Sequence, residues 1–164
     1  MSVPQSIILI VSFIMSQLSS ANELDFTQEI RISASPEAVW KAITQPEMVK
    51  KYHLAPLHKL ELKKNGEIIY GSNEENLISG VVKDFEENVR LIHTFRFGSQ
   101  NHLGTEEDQD TMVSYFIQSD GPFTILKVTH SGFSEDNQTR ADIVGGWPII
   151  LQQLKAILEA EARQ

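Results

Sequence analysis

The chain has 164 residues, with 14 Lys and Arg against 22 Asp and Glu, so its net charge is −8 at pH 7. This length is sufficient for one domain with a hydrophobic core. The acidic balance argues against nucleic acid and against anionic membrane surfaces, because no basic stripe is present to neutralise phosphate groups. The chain has no cysteine, which excludes disulfides, thiolate zinc sites and cysteine nucleophiles.

The first 21 residues have the composition of a secretory signal peptide. They contain no charged side chain, and residues 7–15 are apolar except for Ser12. Ser19 and Ala21 are small residues at the −3 and −1 positions of a cleavage site directly after Ala21. Cleavage there would leave a mature domain of residues 22–164.

This interpretation makes the mature protein secreted or periplasmic, with no membrane span, since the apolar run is too short to cross a bilayer comfortably. One element of a signal peptide is missing, because no Lys or Arg precedes the apolar run. The alternative is an additional N-terminal helix or strand that packs on a cytoplasmic domain.

The mature chain begins with a predicted strand and two predicted helices. Residues 26–32 alternate between apolar and polar side chains, which is typical of a strand. Ser35 can cap a helix by accepting a hydrogen bond, Pro36 suits the first helical position, and Glu37 suits the positive end of the helix dipole. A short second helix is predicted through residues 48–52.

Residues 57–130 are predicted to form antiparallel strands joined by turns. Asn65 and Gly66 tolerate positive φ and predict a two-residue hairpin turn. Residues 99–110 are acidic and have no period, so they are predicted to form a loop. His53 and His58, which are five residues apart, and His102 in this loop match no regular ligand spacing, so we expect these histidines in solvated loops. We predict no metal site and no cofactor. The longer strands are predicted at 77–85, 89–97, 111–119 and 123–130.

The last segment predicts one long helix over about residues 138–162. Its apolar residues recur at three- and four-residue steps, as in Trp147, Leu151, Leu154 and Leu158, so one stripe faces a core. Pro148 lacks an N–H group and is predicted to kink or restart this helix. The predicted fold class is α+β, with a curved antiparallel sheet of six or seven strands wrapped around the C-terminal helix.

Three segments together resemble a known family. They are residues 34–44, residues 129–133, and Gly146 and Trp147 with the leucines that follow. This combination is similar to the activator of heat-shock-protein-90 ATPase homologue family of the START-like superfamily, also called birch-pollen-allergen-like or SRPBCC. The resemblance covers about residues 24–162. It implies a helix-grip fold, but the superfamily includes lipid carriers, cyclases and co-chaperone domains, so it does not choose an activity.

Strand alternation predicts which side chains point toward the C-terminal helix. His93 shares a strand face with Phe95 and Phe97, and His130 shares one with Val128. For His130 we expect a core residue whose ring nitrogens are hydrogen-bonded. For His93, a ligand-orienting role and a structural role are equally compatible with the sequence.

The candidate ligand site is therefore the concave side of the sheet. Aromatic and aliphatic groups would supply contact area, and His93 and Tyr115 would hold one polar end of a ligand. The same large side chains could instead fill the space and leave a closed core. The predicted lining residues are His93, Phe95, Phe97, Tyr115, Val128, Met48, Tyr52 and Trp147.

Three functions remain open from the sequence. The first, which we favour, is the binding of a small, largely apolar ligand. The second is interaction with a protein partner, as the family name suggests for a chaperone, although an exported protein would not meet a cytosolic chaperone. The third is a cyclase- or hydrolase-type enzyme that uses His93 with Tyr115 or Glu61, which no paired carboxylates or nucleophile–base motif supports.

Overall fold

The computed structural model describes residues 22–72, 76–97 and 111–164. The predicted signal peptide and the predicted acidic loop lie outside the described residues. Seven strands and three helices follow one another along the described chain in the order β1-α1-α2-β2-β3-β4-β5-β6-β7-α3. The helices are α1 (Pro36–Thr44), α2 (Pro46–Val49) and α3 (Gln138–Glu161). The strands are β1 (Phe26–Ile32), β2 (Leu57–Leu60), β3 (Glu67–Gly71), β4 (Asn76–Glu86), β5 (Arg90–Phe97), β6 (Thr111–Asp120) and β7 (Phe123–Ser131).

All seven strands belong to one antiparallel sheet with the order β1-β7-β6-β5-β4-β3-β2. Strands β2 to β7 are sequential neighbours, as expected for strands joined by tight turns. β1 and β2 lie at opposite edges, so the pair α1 and α2 connects the two edges of the sheet. The long helix α3 lies over the concave face, and the predicted α+β helix-grip fold is confirmed.

The start of α1 follows the sequence signals closely. Ser35 Oγ accepts a hydrogen bond from the Ala38 N–H at 3.2 Å, and Pro36 occupies the first turn. The short α2 is anchored on α1, since the Tyr52 hydroxyl, which follows α2, donates to the Ala42 carbonyl at 2.9 Å.

Helix α3 differs from the prediction at Pro148. The predicted restart is wrong, because the helix is continuous from Gln138 to Glu161 with Pro148 inside it. Trp147 and Leu151, on either side of this turn, are only 4% and 1% exposed. The burial of these two side chains against the sheet stabilises the helical conformation on both sides of Pro148. Pro148 itself is exposed, and its missing hydrogen bond does not end the helix.

The turn between β2 and β3 is also longer than predicted. β2 ends at Leu60 and β3 begins at Glu67, and only Asn65 of the two expected turn residues has a positive φ, at 61°. Gly66 is needed for a different reason. A Cβ atom there would lie 2.2 Å from the Glu61 carbonyl oxygen, so only a residue without a side chain allows the two backbone segments to approach this closely.

One hydrophobic core lies between the sheet, α1 and α3. The stripe of α3 predicted from the sequence is buried, including Leu154 at 1% and Leu158 at 3% exposed. Val39 and Ile43 of α1 and Leu126 and Val128 of β7 complete the layer beneath it. Within the part of the chain that the structure describes, no helix is long and apolar enough to cross a membrane.

Candidate functional site

A row of aromatic and imidazole rings crosses the interior between the sheet and α3. We call it the aromatic row, and it is formed by His53, Tyr70, His93, Tyr115 and Trp147. The strands position three of these residues on one face, since Tyr70, His93 and Tyr115 lie on β3, β5 and β6 and are all buried. The distances between successive ring centroids are 4.7 Å for His53–Tyr70, 6.5 Å for Tyr70–His93, 6.1 Å for His93–Tyr115 and 6.0 Å for Tyr115–Trp147.

His130 lies beside this row and has a partner at each ring nitrogen. The Trp147 indole Nε1–H donates to His130 Nδ1 at 3.1 Å, so the imidazole proton is on Nε2. That Nε2–H donates to Thr111 Oγ1 at 2.9 Å, and the Thr111 hydroxyl donates to the Phe95 carbonyl at 3.0 Å. Burial lowers the pKa of His130 to about 3, and His93 adds a smaller effect in the same direction. His130 is therefore a neutral, fully hydrogen-bonded core residue, as expected.

His93 is equally buried but only half paired. It is 1% exposed, and its Nδ1 lies 2.7 Å from the Thr94 carbonyl oxygen. Because a carbonyl only accepts, the imidazole proton is on Nδ1 and Nε2 carries a lone pair. That Nε2 atom is buried and has no hydrogen-bond partner among the described residues. An unpaired buried acceptor costs about 1–3 kcal/mol, so it marks a place where a donor is missing.

The imidazole of His93 is uncharged in the folded protein. Burial lowers its pKa to about 4, against a smaller opposing effect of the hydrogen bond to the Thr94 carbonyl. Burial likewise lowers the pKa of His53 to about 4. At neutral pH these rings offer lone pairs and N–H groups rather than positive charges.

The tyrosines of the interior stay protonated. Burial raises the pKa of Tyr70 to about 12, and a hydrogen bond between the Tyr70 and Tyr115 side chains partly offsets this shift. Burial also raises the pKa of Tyr115 well above its usual value. The Tyr52 hydroxyl donates a hydrogen bond to the Ala42 carbonyl. The interior is therefore neutral, and within the described part of the chain His93 Nε2 is a buried ring nitrogen without a hydrogen-bond partner.

The structure brings together the central residues of the predicted site. His93, Tyr115 and Trp147 form ring contacts with one another in sequence along the row. Val128 is buried and lies opposite Tyr115 in the pairing of β6 with β7. His93, Tyr115 and Val128 lie on the central strands of the sheet, and Trp147 faces them from α3.

The other predicted lining residues lie around this centre. Phe95 is 8% exposed, and its ring contacts that of His130 at 4.7 Å rather than that of His93. Met48 is half-buried, with its sulfur 3.4 Å from Lys51 Nζ, so it lies at the margin of the core. Tyr52 contacts the row at the His53 ring, at a centroid distance of 6.2 Å. The side chain of Phe97 lies outside the described part of the structure, and its backbone pairs with that of Ile78.

Two members of the aromatic row were not predicted. Tyr70 could have been found, because residues two apart on a strand share a face, and Ile68 and Tyr70 are both buried. His53 was assigned to a solvated loop, and this was wrong. Its ring stacks on Tyr70, and its Nδ1 interacts with the Ala55 backbone, with the carbonyl oxygen at 2.7 Å.

Glu61 does not join His93 in a catalytic pair. Its carboxylate lies at the β2–β3 turn, where it accepts from the Glu67 N–H at 3.1 Å and faces Lys63 at 3.4 Å. Among the described residues, no group of three or more His, Asp or Glu side chains could hold a metal ion. The interior thus offers apolar surface and one free acceptor.

Comparison with known proteins identifies the family. Solved structures with the same fold include a protein from Mesorhizobium loti, with a TM-score of 0.71 and 21% identity over 83% of this chain and 97% of that one. The Aha1 dimer from Colwellia psychrerythraea gives a TM-score of 0.68 and 21% identity, covering 82% and 96% of the two chains. An HSP90 activator from Plasmodium falciparum gives a TM-score of 0.65 and 18% identity, covering 82% of this chain and 95% of that one.

A search of curated protein sequences gave no match. The family model described as activator of Hsp90 ATPase homolog 1-like protein matches residues 33–159, which include α1, β2 to β7 and most of α3. The chain therefore belongs to the activator of Hsp90 ATPase homolog 1-like family.

Proposed function

We propose that this protein binds one small, largely apolar molecule between the concave face of the sheet and α3. The observation that carries the proposal is His93 Nε2, a buried acceptor without a partner among the described residues. A sequence that only needed to fill its core would place an apolar side chain here at lower cost, since an unpaired polar group destabilises the fold. A ligand that donates to Nε2 removes this penalty.

The surroundings of His93 suit such a ligand. Tyr115 and Trp147 supply broad aromatic faces, and Val128 and Leu154 supply aliphatic surface on the sheet and on α3. Ligand sites of this kind are mostly apolar, with few polar groups that fix orientation. Here the polar group is one imidazole whose ring orientation is held by the Thr94 carbonyl.

The second candidate is a protein-interaction role on a chaperone. It is favoured by the family and by two exposed apolar side chains at one end of the fold, Leu54 at 67% and Ile149 at 48% exposure. A Cβ atom on Gly146, three residues before Ile149, would lie 3.5 Å from Leu54 Cδ1, so α3 and the α2–β2 loop meet here. We retain the signal-peptide hypothesis for residues 1–21; export would separate this protein from cytosolic chaperones and favours the ligand function.

Native mass spectrometry of protein purified from its own host is the direct test. We expect a retained small molecule that denaturation releases. Nile red, a neutral hydrophobic dye, should bind the emptied protein and be displaced by the released molecule. Absence of both signals would contradict the proposal and leave the protein-partner role.

A pair of variants shows whether the interior is the binding space. Phe95→Ala should alter Nile red binding and cost less than the roughly 3–5 kcal/mol of a packed aromatic side chain. Phe133→Ala is the control, since Phe133 is 3% exposed and also contacts the His130 ring, but follows β7 in the chain and is not on a strand of the sheet. It should cost the full amount and leave dye binding unchanged. Equal costs for both variants would indicate a solid core.

A further inference from the structure

We propose that the ligand of this interior is an uncharged molecule whose hydroxyl or N–H group donates to His93 Nε2. This inference rests on the proposed ligand function and specifies the chemical class of the ligand. It divides into two independent requirements, a hydrogen-bond donor and the absence of charge.

The requirement for a donor follows from the tautomer of His93. Its Nδ1 is 2.7 Å from the Thr94 carbonyl oxygen, which can only accept, so the proton is fixed on Nδ1. Nε2 then has a lone pair and cannot donate. A ligand carbonyl or ether oxygen placed at this atom would face another acceptor, whereas an alcohol, phenol or amide N–H would form a hydrogen bond.

The neighbouring tyrosines do not supply this donor. Nε2 remains unpaired although the Tyr70 and Tyr115 rings lie 6.5 and 6.1 Å from the imidazole. Their two side chains are hydrogen-bonded to each other instead. In this arrangement neither tyrosine donates to Nε2, and a bound ligand can supply the donor.

The requirement for neutrality follows from the residues that are buried. The buried polar side chains in the described ranges 22–72, 76–97 and 111–164 are three threonines and two histidines, with no Asp, Glu, Lys or Arg among them. The guanidinium of Arg140, which is 19% exposed, donates hydrogen bonds to the Asp136 carboxylate and to the Leu24 carbonyl, so it is already paired. A carboxylate or an ammonium group moved into this interior would lose its hydration without meeting a counter-charge.

A single water molecule is the competing occupant of the position beside Nε2. Buried waters are held by two to four polar partners, and here one acceptor faces mainly ring surfaces. Apolar surface with one acceptor suits a ligand that carries its donor on an apolar body. The following test separates the two occupants.

The test compares three probes of one shape on the wild-type protein, by fluorescence titration at pH 7. 2-Naphthol has a donor, 2-methoxynaphthalene lacks it, and 2-naphthoate carries a negative charge. We expect 2-naphthol to bind about 2- to 10-fold tighter than 2-methoxynaphthalene, as for one net hydrogen bond. 2-Naphthoate should bind most weakly.

Nitrogen NMR of the imidazole gives a readout independent of affinity. In the free protein, the His93 Nε2 resonance should be that of an unprotonated nitrogen with no donor. It should move upfield when 2-naphthol binds and stay in place with 2-methoxynaphthalene. A resonance that already shows a strong donor in the free, delipidated protein would indicate bound water and overturn the inference.

His93→Phe tests the acceptor itself, because Phe keeps the ring and removes the lone pair. The preference for 2-naphthol over 2-methoxynaphthalene should disappear. The matched control is His58→Phe on β2, where the histidine is exposed and the preference should persist. If His93→Phe does not fold, the affinities of the wild-type protein for the three probes and the NMR shifts still test whether the ligand donates to His93 Nε2.

The outcomes separate this inference from the proposed function. Binding of none of the three probes, and of no Nile red, would contradict the ligand function as a whole. Equal affinity for 2-naphthol and 2-methoxynaphthalene, or tightest binding of 2-naphthoate, would overturn only the inference about the donor and the charge.

Discussion

Replacing Thr111 by Val should expose how much stability depends on the hydrogen-bond chain through His130. Thr111 is fully buried, and its hydroxyl both accepts from His130 Nε2–H at 2.9 Å and donates to the Phe95 carbonyl at 3.0 Å. Val has nearly the same shape but has neither function. His130 cannot compensate by moving its proton to Nδ1, because that atom accepts from the Trp147 indole at 3.1 Å.

The magnitude follows from the groups left without partners. A buried hydrogen bond contributes about 0.5–1.5 kcal/mol net, and an orphaned buried donor costs about 1–3 kcal/mol. Thr111→Val removes two bonds and orphans the His130 N–H, so we expect a loss of about 2–4 kcal/mol. This is a large part of the roughly 5–15 kcal/mol that stabilises a domain.

The assay is urea unfolding followed by the fluorescence of the two tryptophans, Trp40 and Trp147, both of which are buried. The matched control is Thr124→Val. Thr124 is equally buried, but its hydroxyl donates one hydrogen bond, to the Ala34 carbonyl at 2.7 Å. This change should cost about 0.5–1.5 kcal/mol, since it orphans no ring nitrogen.

The difference between the two variants is the measured quantity. A cost for Thr111→Val that equals the cost for Thr124→Val would refute the hydrogen-bond chain. Nitrogen NMR of His130 in the wild type should show the proton on Nε2, and a proton on Nδ1 would refute the tautomer on which the estimate depends.

Three further predictions concern pH, glycines and the N-terminus. His93 and His130 have folded-state pKa values of about 4 and about 3, below the usual 6.5, so the unfolded state binds more protons and stability falls as pH drops from 6.5 toward 4. Each histidine should lower the unfolding free energy by up to about 1.4 kcal/mol for each pH unit below 6.5. Urea unfolding at pH 7, 6 and 5 measures this change, and an unfolding free energy that does not vary with pH would contradict their burial as neutral rings. Gly145→Ala should raise the unfolding free energy by about 0.5–1 kcal/mol, because the added Cβ atom in the helix would meet open space. Gly80→Ala should lower the unfolding free energy by at least about 1–3 kcal/mol, because its Cβ atom would lie 1.8 Å from a β5 carbonyl oxygen. Thermal unfolding of both variants measures the contrast, and two changes of the same sign would contradict it. N-terminal sequencing of exported material should begin at Asn22, and an isolated form that starts at Met1 would contradict cleavage.

Local sequence signals determined the elements and the faces that they bury. The capping residue Ser35 with Pro36 fixed the start of α1, because their preferences are local to the backbone. The three- and four-residue spacing of apolar residues marked α3 and its buried stripe. Period-two alternation on β5 and β7 placed His93 and His130 in the interior, as observed.

Local rules failed where a distant contact competed with them. Pro148 alone predicts a break in α3, but the burial of Trp147 and Leu151 keeps the helix continuous. The sequence around His53 predicts a solvated loop residue, yet Tyr70, 17 positions later, stacks on its ring at 4.7 Å. Neither contact has a signature in the residues next to it.

The different states of the two buried histidines were decided by tertiary structure alone. Sequence alternation treats His93 and His130 alike. Partners brought in from β6 and α3, Thr111 and Trp147, satisfy both nitrogens of His130, whereas His93 finds only the neighbouring carbonyl of Thr94. A hydrogen bond depends on the position and direction of two atoms that the fold brings together, and no spacing within one strand encodes that geometry.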